Sequence, residues 1–199
     1  MRIAVGISGA SGTVYGQRLV QVLLEQGVEV ILTLSKTLDK LFAAELGLVC
    51  DPANPDIGRL FGERAAAALA SKQLTVHRAD NLAANVASGS FLVDGYVICP
   101  ASTGLIGRAS VGASTNLLER MCDVALKERR TLVLVPRETP LSTIQLRAMT
   151  RLSSAGATIL PAAPGFYHRP RTLADAVDFV VQKIIDRLGV KADLIRRWS

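Results

Sequence analysis

Short aliphatic runs alternate with longer amphipathic segments along most of this chain, and that alternation constrains its fold more than any single motif. Apolar runs without a clear in–out alternation suit strands buried on both faces. Strands separated by helices suit a parallel sheet. The runs are 2–8 (RIAVGIS), 28–34 (VEVILTL), 93–99 (VDGYVIC), 131–135 (TLVLV) and 157–160. Between and after them, the helical period predicts helices over 12–26, 36–47, 114–129, 141–155 and 172–188. In the last of these, Thr172 is the expected N-cap, with Leu173, Val177, Val180, Ile184 and Leu188 along one buried stripe. Residues 51–90 are least regular, and an Ala-rich helix near 58–71 is the one element read there. The pattern predicts a single α/β domain over residues 1–199. Its core would be a doubly wound, mainly parallel sheet of five to six strands between two helical layers, Rossmann- or flavodoxin-like.

Composition excludes several classes. The three cysteines (Cys50, Cys99, Cys122) lack metal-like spacing, which argues against a zinc ribbon and a disulfide scaffold. No apolar run reaches the ~18 residues of a membrane span. The opening MRIAVGISGASG turns glycine-rich too early for a signal peptide, so a cytoplasmic location is expected. Residues 1–100 hold 8 Lys/Arg against 9 Asp/Glu, and residues 101–199 hold 15 against 8, so the net charge of +6 arises in the second half. Its basic residues are scattered and never form a run of five or six. That disfavours nucleic acid and equally fits a site binding several phosphates.

In an open α/β sheet, ligands bind outside the carboxyl ends of the strands, so the residues after each strand are the ones to read. They are Ser8-Gly9-Ala10-Ser11-Gly12, Ser35-Lys36, Pro100-Ala101-Ser102-Thr103-Gly104, Pro136-Arg137-Glu138-Thr139-Pro140 and Pro161–His168. The first exit is GxxGxxG (Gly6, Gly9, Gly12) and opens a helix. It suits either close strand–helix packing or an anion held by backbone N–H groups and the helix amino end. A nicotinamide-binding fold needs an acid at the second strand's end to hold a ribose, whereas here stand Ser35 and Lys36. That favours a mononucleotide such as FMN, with Ser102-Thr103-Gly104 adding hydroxyls and N–H groups. Arg137-Glu138, between two prolines, is either a local ion pair or a functional guanidinium and carboxylate on a stiffened loop. Arg120 and Lys127 share a helical face with Asp123 between them, which fits a solvated ion-pair stripe as well as a site. His77 and His168 suggest no dyad or metal pair.

Together these motifs resemble the UbiX-type flavin prenyltransferase family. The matching pieces are GISGASGTVYG (6–16), LSK (34–36), VICPASTG (97–104), NLLERMCDVALKERRTLVLVPRETPL (116–141), GATILPAAPGFYHRP (156–170) and the terminal RW (197–198). The match runs end to end and leaves mainly 48–85 uncovered. The resemblance implies that Gly9, Ala10, Ser11, Ser35, Ser102, Thr103, Gly104, Leu105 and Arg137 bind FMN. It implies that Tyr167 and Lys183 hold the phosphate of dimethylallyl monophosphate, and that Trp198 stands near the prenyl group. Arg120, Lys127 and Glu138 match its catalytic positions. Position 183 is Lys where some members have Arg, and Ala101 replaces a Cys of several relatives.

The implied reaction transfers the dimethylallyl group to the N5 and C6 atoms of reduced FMN. The prenylated flavin then serves a separate decarboxylase, and an older description of such proteins as decarboxylases reflects that indirect role. No metal is expected, because monophosphate departure is served by cationic side chains and no DDxxD-like motif is present. The family further implies a large homo-oligomer, a dodecamer, with sites built across subunit contacts. Two other readings compete: an FMN-dependent decarboxylase of cysteine-containing peptides on the same fold, and a non-catalytic FMN-binding subunit.

Overall fold

The computed structural model describes residues 1–197. Its strands are β1 (Arg2–Ile7), β2 (Glu29–Leu34), β3 (Leu74–Arg78), β4 (Gly95–Ala101), β5 (Thr131–Pro136) and β6 (Thr158–Ile159). Its α-helices are α1 (Thr13–Glu25), α2 (Leu38–Leu46), α3 (Ile57–Phe61), α4 (Glu63–Ala70), α5 (Thr103–Ala109), α6 (Leu117–Lys127), α7 (Thr143–Ser154) and α8 (Leu173–Leu188). The strands form one sheet in the order β3-β2-β1-β4-β5-β6, and every pairing is parallel. The sheet is therefore wholly parallel, as the buried aliphatic runs require.

Alternation along each strand sends side chains to two separate cores. Val5, Leu32, Val97 and Val133 pack under α1, α3, α4 and α8, against Leu19, Leu23, Leu60, Val180 and Ile184. Ala4, Ile31, Tyr96, Ile98 and Leu134 pack under α5, α6 and α7, against Leu105, Leu118, Met121 and Leu152. Gly6 lets the second layer come close. A Cβ there would lie 2.5 Å from Leu118 Cδ2 and 2.6 Å from Ile98 Cδ1. The first glycine of GxxGxxG thus serves packing.

The least regular stretch holds two differences from the sequence-based expectation. Edge strand β3 pairs with β2 from Val30↔Leu74 to Leu34↔Arg78. It escapes a reading by periodicity because only Leu74 of its five residues is fully buried. The helix expected near 58–71 is two helices, broken at Gly62, whose φ of 93° lies outside helical space. At α8 the cap is the one expected, Thr172, which forms a capping box with Asp175. Leu173 of the expected buried stripe is instead 75% exposed, because the helix meets the core only from Val177 onward. At α6 the helix starts later than expected, capped by Asn116, which accepts from Glu119 N–H.

The order in which successive strands are added reverses between β1 and β4. One half continues through β2 and β3, the other through β5 and β6. Such a switch point leaves a crevice at the carboxyl ends of the strands, where the loops diverge. None of the helices described is long and apolar enough to cross a membrane.

Candidate active site

Ser8 ties the crevice together. Its hydroxyl donates to Pro100 O at 2.7 Å and accepts from Ser102 N–H at 2.7 Å, joining the β1 and β4 exits while only 2% exposed. Neither loop can move without breaking a buried, satisfied hydroxyl, a loss of about 1–3 kcal/mol. Around this knot stand Gly9, Ala10 and Ser11 after β1, and Ser35 after β2. Ser102, Thr103, Gly104 and Leu105 follow β4, and Arg137 follows β5. Ser35 and Thr37 exchange a hydroxyl contact at 3.2 Å, and a Cβ on Gly9 would fall 2.2 Å from Thr37 Oγ1. Gly9 is thus the residue that admits this close approach. Arg137 Nε donates to Ser11 O at 3.1 Å, so the guanidinium is held across the first loop. The second half of the rim is built on α5, where the Ser102 hydroxyl accepts from Leu105 N–H and Leu105 is buried beneath. Four adjacent strand exits therefore present hydroxyls, backbone N–H groups and one guanidinium. This donor set fits a flat, phosphate-bearing mononucleotide.

Sequence reasoning missed one residue of this region. The Glu45 carboxylate of α2 accepts from Gly12 N–H at 3.0 Å and from both Thr13 N–H and Thr13 Oγ1 at 2.8 Å. It occupies the amino end of α1, the place where one of the two readings of the GxxGxxG turn puts an anion. Gly12, with φ of 99°, turns the chain so that its N–H faces Glu45. Nothing in the local sequence links positions 45 and 12, which lie 33 apart.

Burial alone would raise the Glu45 carboxyl. Hydrogen bonds from Ser11, Thr13 and the Thr13 and Gly12 backbone outweigh it and hold the group below its ordinary value. Glu119, buried at the start of α6, behaves alike. Burial raises it, but Thr115 N–H, Thr115 Oγ1 and the Arg108 guanidinium bring it below its ordinary value. A carboxyl depressed in the folded state stabilises it above the unfolded value, and that stability is lost as pH falls through the folded value. Burial also lowers His77, partly offset by an Asn85 hydrogen bond. An imidazole kept neutral loses stability in the same direction, starting nearer neutrality. Chemical denaturation midpoints should therefore be flat above about pH 7 and fall steadily below about pH 5, and Glu45→Gln should flatten the acidic limb. A variant whose acidic limb matches wild type would show that Glu45 carries none of it.

The other expected site residues fall into separate places. Arg137 and Glu138 form no ion pair with each other among the described residues. Glu138 is exposed on the rim, accepting only from Thr139 N–H at 3.1 Å. On α6, the ion-pair stripe that the spacing allows is not formed among the described residues. Arg120 Nε donates to Ala87 O at 3.1 Å, Asp123 accepts from the Ser114 hydroxyl, and Lys127 pairs with Glu128. Because α6 runs against the strands, Lys127 lies at its far end, just before β5 begins, while Glu138 follows the end of β5. The length of β5, about 18 Å, separates the two within one chain. Tyr167 and Lys183 gather instead on the outward face of α8, around the Phe179 ring. Trp198 lies outside the described residues.

Residues 1–188 match the family model described as Flavoprotein. The chain is 46% identical over 198 residues to the flavin prenyltransferase UbiX of Pseudomonas aeruginosa, covering 100% of this chain and 94% of that protein. Among solved structures, AnUbiX in complex with FMN and dimethylallyl pyrophosphate superposes with a TM-score of 0.87 at 33% identity. That comparison covers 100% of this chain and 97% of the other. A dodecameric FMN-dependent UbiX-like decarboxylase from Escherichia coli gives 0.85 at 37% identity, with 100% of both chains covered.

Proposed function

The chain belongs to the flavoprotein family and within it to the flavin prenyltransferases, and from that premise we propose that it joins dimethylallyl monophosphate to reduced FMN. The observation that carries the reading is the rim of Gly9–Ser11, Ser35, Ser102–Leu105 and Arg137 at the β1/β4 switch point, with Ser35 and Lys36 and no acid at the end of β2. It accepts a mononucleotide and lacks the ribose-binding carboxylate of a nicotinamide site.

Reduced FMN supplies the nucleophilic N5 and C6 atoms when bound. The chain's task is to stabilise negative charge on the departing phosphate and to move protons. Tyr167, Lys183, Arg120 and Lys127 are the groups suited to the phosphate, where charge develops as the carbon–oxygen bond breaks. Glu138, exposed at the rim, is the group suited to take the proton lost from N5, alone or through the released phosphate. Positions as far apart as Lys127 and Glu138 reach one site only if neighbouring subunits contribute them. That supports a homo-oligomer with shared sites, a dodecamer like the Escherichia coli neighbour. We place the chain in the cytoplasm as a single flavoprotein domain over residues 1–199 that passes its product to a prenylated-FMN-dependent decarboxylase.

Anaerobic incubation of the purified protein with reduced FMN and dimethylallyl monophosphate, followed by mass spectrometry, tests the reading. The expected product is a flavin carrying one added prenyl unit, formed over many turnovers. Flavin returned unmodified from a protein that binds FMN would favour the non-catalytic reading.

A further inference from the structure

The loop that carries Tyr167 and the helix that carries Lys183 meet on one ring. Phe179 is 8% exposed and stands on α8 one turn before Lys183, whose Nζ lies 5.4 Å from the ring centroid. That distance is within the range of a cation–π contact. Tyr167 meets the same ring edge to face at 5.6 Å and 76°. His168 stacks on it at 5.2 Å and 16°, and Tyr167 meets His168 edge to face at 5.9 Å. The backbone of the loop closes down as well: a Cβ on Gly165 would fall 2.8 Å from Phe179 Cζ. His168 Nε2 lies 3.3 Å from Asp175 O, a contact that needs the proton on Nε2 and fixes the imidazole to the first turn of α8. The loop is thus seated on the helix at three points: Gly165, Tyr167 and His168.

We propose that Phe179, clamped by His168, is a positioning residue that presents the Tyr167 hydroxyl and the Lys183 ammonium as one preassembled phosphate-binding unit. This rests on the reading of Tyr167 and Lys183 as ligands of the donor phosphate. The physical need is clear from the two side chains. Lysine is a flexible point charge, not a planar fork, and it gives up rotamer freedom to bind. Tyr167 sits in a loop framed by Gly165 and Pro170, six residues before α8 begins and outside any helix or strand that would fix it. A shared aromatic seat settles that ordering before the donor arrives, which is how preorganisation improves affinity.

The test compares Phe179→Leu, His168→Leu and His168→Phe with wild type. Each is assayed for FMN affinity and for steady-state turnover with dimethylallyl monophosphate. Phe179→Leu should raise the donor's KM about tenfold with FMN affinity unchanged. His168→Leu should raise KM by a smaller factor, and His168→Phe, which keeps the stack, should restore it. Combined with Lys183→Ala, Phe179→Leu should cost less than the product of the two single losses, because both act on one unit. Full multiplication of the losses would overturn the proposal, as would an unchanged KM in both Phe179→Leu and His168→Leu. Should Phe179→Leu fail to fold, the two His168 variants decide alone. Wild-type protein that forms no prenylated flavin would instead remove the underlying reading, so the two failures are distinguishable.

Discussion

Glu138→Gln is expected to lower turnover by ~10²–10⁴ while leaving FMN affinity intact, the usual worth of a positioned acid/base set against an undisturbed binding surface. The substitution keeps the side chain's size and one acceptor oxygen but removes the group that can carry a proton. Structure gives it little else to disturb. Glu138 is exposed and makes one local contact, with Thr139 N–H, which the amide oxygen of Gln can still accept. Arg137, which we propose to contact FMN, is held by Ser11 O and not by Glu138. An ion-pair role would predict something different, namely loosened Arg137 and weakened FMN with normal turnover per bound flavin. Titration of FMN alongside single-turnover rates separates the two. Donor affinity should hold or tighten, since a negative charge near a phosphate dianion is lost.

Much of this architecture is legible from residues read in order. β1, β2, β4 and β5 announce themselves because both their faces are buried, so each is a nearly unbroken aliphatic run. The start of α8 is legible because Thr172 and the apolar stripe from Val177 onward are local in sequence, whereas Leu173, read as part of that stripe, is exposed. β3 is not, because an edge strand with polar Thr75, His77 and Arg78 carries no such run. The rim residues follow from the strand ends, since each loop is adjacent to the strand that positions it. What stays hidden are contacts made at long range. Glu45 caps a helix 33 residues earlier, and Ser8 bridges to a carbonyl 92 residues later. Phe179 falls outside the stripe read along α8, and its burial becomes clear only when the loop bearing Tyr167 and His168 is seen lying on it. Asp123 shows the opposite failure. Its helical spacing to Arg120 and Lys127 allows ion pairs as readily as a site, but Ser114, Ala87 and Glu128 supply partners that spacing cannot reveal.

Lys127→Ala should cost at least ~10² in turnover if its charge offsets the departing phosphate, a loss comparable to removing one preorganised electrostatic donor. The placement of Lys127 makes the consequence sharper than a simple loss. It stands exposed at the carboxyl end of α6, paired with Glu128 and about 18 Å from the Glu138 end of β5. A lysine side chain cannot bridge that gap, so a site using both groups must take them from different subunits. Two inactive proteins then become informative. When Lys127→Ala and Glu138→Gln subunits are dissociated, mixed in equal amounts and reassembled, some sites receive a wild-type Lys127 from one chain and a wild-type Glu138 from another. Random mixing makes about a quarter of the sites complete, and turnover should rise to about that fraction of wild type. Each variant reassembled alone should stay inactive. A mixture no more active than its parts, with light scattering confirming hybrid assemblies, would mean that Lys127 and Glu138 do not serve one site. The two charges would then have to be explained separately, Lys127 as half of the surface pair with Glu128 and Glu138 as the rim's own carboxylate.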